Sequence, residues 1–402
     1  MITRLGGGLA VLLVAGTGVA GVALADDPQP GPMAAAAQEI AGSTDHRDPT
    51  VLTAGLWSDR LDPSDAGHYF GYSRVAENTT VHVAVFATGA PNDSITIETF
   101  AGDVSCGSAT ASSPYASNGP EKVFGATVLV GKQGSSDDCA NQREDLRIVV
   151  SRGSSTGDLE PLPIRIKVVE EQRLADQQEH LDPERGSLPE PADVDPSFVA
   201  PEGAASTHTI RQGELQYFPL DLGWGESLAA EAVTASLAEQ GIEEVVGPEL
   251  SLELLGPLGV PIDDGLADAN PADSLADDEE TTVFTGLGPV AYRNRFSSDL
   301  PYLPGRYWVV VGLAGAAPDD EPMQIDYDLR VGASGDVAGA PRYRGGERAF
   351  LIGPDRWSLD PSGAANLSAD DDAWPARRWG ALGLAVFGVL CLGLGGRRLL
   401  RR

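Results

Sequence analysis

The sequence predicts an all-β chain built of two tandem jelly-roll-like β-sandwich domains, with an N-terminal signal peptide and one C-terminal transmembrane helix. Three observations predict it. Short runs rich in Val, Ile, Thr and aromatic residues recur between stretches rich in Gly, Ser, Asn and Asp, the mark of many short strands. The pattern occurs twice along the chain. An apolar segment stands at each end.

Residues 1–25 read as the signal peptide: Arg4, an apolar stretch from Leu5, and the small-residue site Ala23, Leu24, Ala25 ahead of Asp26. Residues 26–48 are rich in Asp, Pro, Ala and Gln without a period, and read as a flexible leader. Domain 1 spans 49–170. Its strands are VHVAVF (81–86), SITIETF (94–100), ATVLV (126–130), LRIVV (146–150) and IRIKVV (164–169). Residues 171–205 are charged and Pro-rich, and read as a linker.

Domain 2 spans 206–333, with strands at 215–221, 228–234, 250–255, 307–311 and 325–331. The stretch 227–239 also has good helix propensity. A strand is preferred there because the internal repeat places one. Residues 334–377 lose the pattern and read as a stalk, about 35 Å long as a flexible chain. The transmembrane helix is expected over 378–396. Its 18 residues from Trp379 to Gly396 carry no charge, and at about 1.5 Å each they reach roughly 27 Å. Residues 397–402 form an Arg-rich cytoplasmic tip. The expected location is the cell membrane, crossed once, with the body extracellular.

The repeat is visible in particular residues. LDPSDAGHYF at 61–70 is echoed by IRQGELQYF at 210–218, which aligns Tyr69 with Tyr217. An apolar run follows at Val81 in one half and at Leu228 in the other. Each half ends in a hairpin-like pair of alternating strands.

Charge limits the partners. The chain has 59 acidic and 28 basic residues. Arg4, Arg377, Arg378, Arg397, Arg398, Arg401 and Arg402 lie in or beside the apolar segments, so the body is more acidic still. Such a surface repels nucleic acid. The three lysines (Lys122, Lys132, Lys167), beside abundant Arg, Ala and Gly, match the usage of a high-GC bacterium. Cys391 lies in the apolar C-terminal segment. Cys106 and Cys139 share the exported region, where disulfides persist, and are expected to pair.

No constellation of catalytic residues stands out. The five histidines (His46, His68, His82, His180, His208) make no zinc spacing, and no phosphate loop of the GxxxxGK[ST] type occurs. The chain is therefore expected to be a non-enzyme without a cofactor. The acidic stretch with Asp263, Asp264, Asp268 and Asn270 offers oxygen ligands of the kind Ca²⁺ takes, but lacks the EF-hand order, and a solvated loop is preferred. Trp224, Tyr302, Tyr307 and Trp308 form a candidate ligand platform for a glycan or an envelope protein. Sandwich core packing is the alternative.

Three runs of domain 2 carry a resemblance: GELQYFPLDLGWGESL (213–228), GPVAYRNR (288–295) and PGRYWVVV (304–311). In domain 1, TAGLWSDRL (53–61) and the two cysteines add to it. The chain resembles the β-sandwich modules that accompany von Willebrand factor A domains in secreted actinobacterial membrane proteins. It is more distantly similar to bacterial pre-peptidase C-terminal domains. The von Willebrand A domain and its D-x-S-x-S metal motif are missing here, so the resemblance implies an exported module without metal-dependent adhesion. The expected role is binding or envelope association. An accessory subunit of a surface enzyme or secretion machine is one alternative, and an enzyme with an unrecognised site is another.

Overall fold

A computed structural model describes residues 27–351, except 64–66, 76–78, 115–119, 132–138, 140–144, 154–159, 176–197, 202–203, 243–247, 263–265, 267, 297–299, 315–321, 337–339 and 344–349. The signal peptide, the transmembrane helix and most of the expected stalk lie outside the described residues. No described helix is long and apolar enough to cross a membrane.

The described chain is all-β. The first unit contains β1 (Gln38–Glu39), β2 (Thr50–Leu52), β3 (Gly55–Leu61), β4 (His68–Tyr72), β5 (Thr80–Thr88), β6 (Ser94–Ala101), β7 (Val104–Ser112), β8 (Val123–Val130), β9 (Leu146–Arg152) and β10 (Leu162–Glu171). The second contains β11 (Ser206–Arg211), β12 (Leu215–Leu222), β13 (Ser227–Thr234), β14 (Glu249–Leu255), β15 (Pro261–Ile262), β16 (Ala272–Ser274), β17 (Thr281–Leu287), β18 (Gly305–Leu313) and β19 (Gln324–Ser334). A last strand, β20 (Phe350–Leu351), returns to pair with β10.

Both units follow one plan. In unit 1 the sheets run β1-β3-β10-β5-β8 and β2-β4-β9-β6-β7. Counted from β3, these are first-eighth-third-sixth and second-seventh-fourth-fifth, a jelly-roll order. Unit 2 repeats it as β11-β19-β13-β17 and β12-β18-β14, with β15 and β16 sharing the fifth place. Tyr69 and Tyr217 both lie on the second strand of their unit, and Val81 and Leu228 on the third. The expected hairpin at the end of each half is absent: β9 and β10 sit in different sheets, as do β18 and β19.

Alternation explains the layers. On β13, Leu228, Ala230 and Ala232 enter the unit 2 core, while Ser227, Ala229 and Glu231 stay half-exposed. This strand period outweighs the helix propensity of the run. On β5, by contrast, Val81 to Ala87 are all buried. Val81, Val83, Val85 and Ala87 enter the unit 1 core. Phe86, facing the other way, joins Leu56, Val123, Leu255, Trp308 and Val310 in a second apolar layer. The two sandwiches therefore stack, with the β3-β10-β5-β8 sheet of unit 1 facing the β12-β18-β14 sheet of unit 2. A strand covered on both faces reads as an unbroken apolar run, as VHVAVF does.

Three segments expected to be loose are packed where they are described. Residues 27–43 form a strap across both units. Gln29 N donates to the Tyr217 carbonyl, and Arg165 Nη2 donates to the Met33 carbonyl. Met33, Ala35 and Ala37 cover the layer between the sandwiches, and β1 pairs in parallel with β3. Gly31 is needed because any Cβ there would meet the Tyr217 ring at 2.7 Å. The expected linker opens with Glu171 and Leu174, both fully buried. The first part of the expected stalk returns to the body, where Tyr343 bridges to Leu174. In each case burial of apolar contacts overrides a composition that suggests disorder.

Candidate functional site

The seam between the sandwiches holds a buried polar cluster. Strand β10 ends in adjacent carboxylates that point to opposite faces. Glu170 turns into unit 1, where it accepts hydrogen bonds from Tyr72 OH at 2.6 Å, Thr79 Oγ1 at 2.7 Å and Val75 N at 2.9 Å. Glu171 turns into the seam. Arg295 binds it with two prongs, Nη1 to Oε2 at 2.6 Å and Nη2 to Oε1 at 3.0 Å. Tyr343 OH donates to Oε1 at 2.7 Å, and His82 Nε2 lies 2.9 Å from Oε2.

Arg295 sits on the short 3-10 turn Tyr292–Phe296, its guanidinium 3.4 Å from the Tyr292 ring centre. Its Nε donates to the Tyr292 carbonyl. The Tyr302 ring stacks on the His82 ring, with centres 5.9 Å apart and planes 15° apart.

The electrostatics follow from burial and pairing. Burial pushes the Glu171 carboxyl up, but Arg295 and His82 outweigh it and hold it down at about 2. Burial pulls the Arg295 guanidinium down, and Glu171 overrides that and raises it. Tyr292, Tyr302 and Tyr343 are raised by burial first, with Glu171 adding to it. The cluster is thus an ion pair whose carboxylate has its lone pairs occupied. Bidentate Arg–carboxylate geometry of this kind is strong and directional.

Beside the cluster lies an open cleft of about 490 Å³. One wall is unit 1, Ala109 and Thr110 of β7 with Gly125, Ala126, Thr127 and Leu129 of β8. The other is the turn between β14 and β15, with Pro257, Leu258 and Val260. Arg295 and Tyr302 line it as well. Apart from Arg295, whose charge Glu171 neutralises, every lining residue is uncharged.

The residues nominated from sequence separate. Cys106 and Cys139 form the expected disulfide, with an S–S distance of 2.00 Å. The aromatic platform does not form an exposed surface. Trp224 and Tyr307 are enclosed in the unit 2 core, the Tyr307 hydroxyl donating to the Leu303 carbonyl, and Trp308 packs into the seam. Tyr302 alone of the four reaches the cleft without being a core residue. Of the Ca²⁺ candidates, Asp263 and Asp264 lie outside the described residues. Asp268 accepts from Phe198 N, and Asn270 Nδ2 donates to the Thr282 carbonyl, so both serve local backbone. Among the described residues no group of three His, Cys, Asp or Glu side chains has metal-binding geometry.

Sequence reading missed Glu171, Arg295 and Tyr343, and saw in His82 only a histidine outside any zinc spacing. The one usable signal was a His inside an apolar run that has no polar face to spare.

No family model matches the chain, and no curated protein matches it. Among solved structures it is similar to a candidate secreted protein from Eubacterium rectale, at 9% identity and a TM-score of 0.19, over 72% of this chain and 81% of that one. It is similar to a chain of the infectious bursal disease virus Gt strain at 15% identity and a TM-score of 0.23, over 65% of this chain and 57% of that one. A third likeness is to the cowpea mosaic virus top component, at 10% identity and a TM-score of 0.19, over 77% and 93%. Likenesses this distant carry no inference about function.

Proposed function

We propose that the chain is an exported, membrane-held, non-catalytic protein whose stacked sandwiches recognise another component of the cell envelope. One observation carries this reading. The Glu171 cluster is a buried constellation with the ingredients of a catalytic site, and it spends its charges on joining the two units. A carboxyl held at about 2 is no proton donor near neutral pH, and a doubly bound guanidinium has little left to offer a substrate. The disulfide and the acidic surface support an extracellular address.

The test uses the full chain, purified in detergent. It should turn over no substrate in peptide, ester and glycan hydrolysis panels. As bait, it should retain one defined partner from solubilised membranes of its own host. Turnover that Glu171→Gln or His82→Gln abolishes without loss of fold would overturn the reading.

An enzyme is the second reading, favoured by one contact. Tyr302 and Arg295 line the cleft and also touch the cluster, so a swing of the Tyr302 ring would bring His82 to the cleft.

A further inference from the structure

Among the described residues, strand β8 is paired on one side only, with β5, and β7 on one side only, with β6. Between them these edges frame the cleft. Its β8 lining includes Gly125, Ala126 and Thr127, three consecutive residues, and its β7 lining the consecutive pair Ala109 and Thr110. Side chains of consecutive residues point to opposite faces of a strand. A cleft that touches all of them therefore looks onto the strand edge, where the outward backbone N–H and C=O groups lie. No described residue hydrogen-bonds the outward backbone groups of Val123–Val130. The Thr127 hydroxyl, enclosed at the same edge, also has no partner among the described residues.

Unpaired edges invite another strand, and proteins usually blunt them with charge, proline or a covering element. Here Val123–Val130 is VFGATVLV, without charge or proline. Unit 2 stands across the gap and makes a slot of it, with Pro257, Leu258 and Val260 as an apolar wall.

We propose that this slot is a peptide-recognition site. An extended, uncharged segment of a partner protein adds to the edge of β8 as a further strand, with alternate side chains against the Pro257–Val260 wall. The occupant follows from the chemistry of the walls. Backbone groups select backbone, and apolar walls without a free charge select neutral side chains. The chain's net charge of −31 repels acidic segments. Strand addition of this kind takes affinity from main-chain hydrogen bonds and specificity from side-chain pockets. The inference rests on the binding role proposed above and names its site and ligand class.

The experiment uses the full chain in detergent and a phage library displaying random ten-residue peptides. Selection on the wild-type protein, with counter-selection on Thr127→Lys, should enrich sequences that alternate apolar and uncharged polar residues. A synthetic peptide of the enriched sequence should slow amide exchange within residues 123–130. Its affinity should fall at least tenfold in Thr127→Lys and in Val260→Lys, which puts a charge on the opposite wall. Circular dichroism and melting of both variants should match wild type. Four outcomes would overturn the proposal. They are no enrichment, enrichment of charged sequences, binding unchanged in both variants, and peptide-free protection of 123–130 that rises with protein concentration. The last would make a second copy the occupant. Loss of the envelope partner in both variants joins this site to the proposed role. A partner retained equally by both variants sinks the slot and leaves the role standing.

Discussion

At the scale of single residues, Glu171 and Arg295 decide how the two sandwiches meet. A buried ion pair contributes little net stability while intact, because desolvation offsets most of the attraction. Breaking it from one side is different. Glu171→Gln leaves the Arg295 guanidinium enclosed without its counter-charge, and we expect a loss of about 3–5 kcal/mol in urea unfolding. The pH dependence has a definite sign. The Glu171 carboxyl is held at about 2 against an ordinary 4.5. Between these values the unfolded chain binds more protons than the folded one, so the contribution is complete above pH 4.5 and drains away as pH falls toward 2. Melting curves from pH 7 down to 2 should show the fall confined to that acidic window, and Glu171→Gln should flatten it. None of this was legible in the sequence. Glu171 looked like the first charge of a linker, and its partners lie 89, 124 and 172 residues away, His82 in unit 1, Arg295 in unit 2 and Tyr343 beyond it.

At the scale of elements, alternation was the reliable signal and small residues hid the rest. Strands β12 and β13 alternate along their whole length; the first was found from its pattern, the second with the help of the internal repeat. Strand β7, Val104–Ser112, escaped because Ser, Gly and Ala read as a turn-rich stretch. Only its Cys106 betrayed an ordered partner. That disulfide ties β7, an edge strand, to Cys139 across 33 residues of sequence. Chain-entropy arguments value such a closure at roughly 3–4 kcal/mol. We expect Cys106→Ser with Cys139→Ser to lower stability by about that amount. Hydrogen exchange should show β7 opening first, while unit 2 stays protected. Equal loosening of both units would contradict a role confined to that edge.

At the scale of the whole molecule, the apolar layer of Phe86, Leu56, Trp308 and Val310, the strap and the ion pair make the halves mutually dependent. Heating should therefore give one transition with a calorimetric enthalpy equal to the van't Hoff value. Two resolved transitions would mean that the seam is weaker than its burial suggests. The duplicated architecture was readable because each half repeats its spacing. The stacking was not, since the residues of the seam are scattered over both halves and only the unbroken run of β5 hinted at a second covered face.

The contact between the sandwiches has a direction. Unit 1 presents the sheet that holds its first strand, and unit 2 presents the sheet that holds its second. An association that joins unlike faces runs on as an open row unless its rotation closes a ring. In principle each further module would find the complementary face waiting at the end of the row, and the product would be a polar filament. The terminal faces of the pair are polar. On one, Arg330 pairs with Glu231, and Thr207 and Thr209 donate to Asp328 and Asp326. On the other, Thr96 pairs with Thr110 and Arg147 lies over Phe100. These hydrated surfaces do for a pair of jelly rolls what capping repeats do for a solenoid.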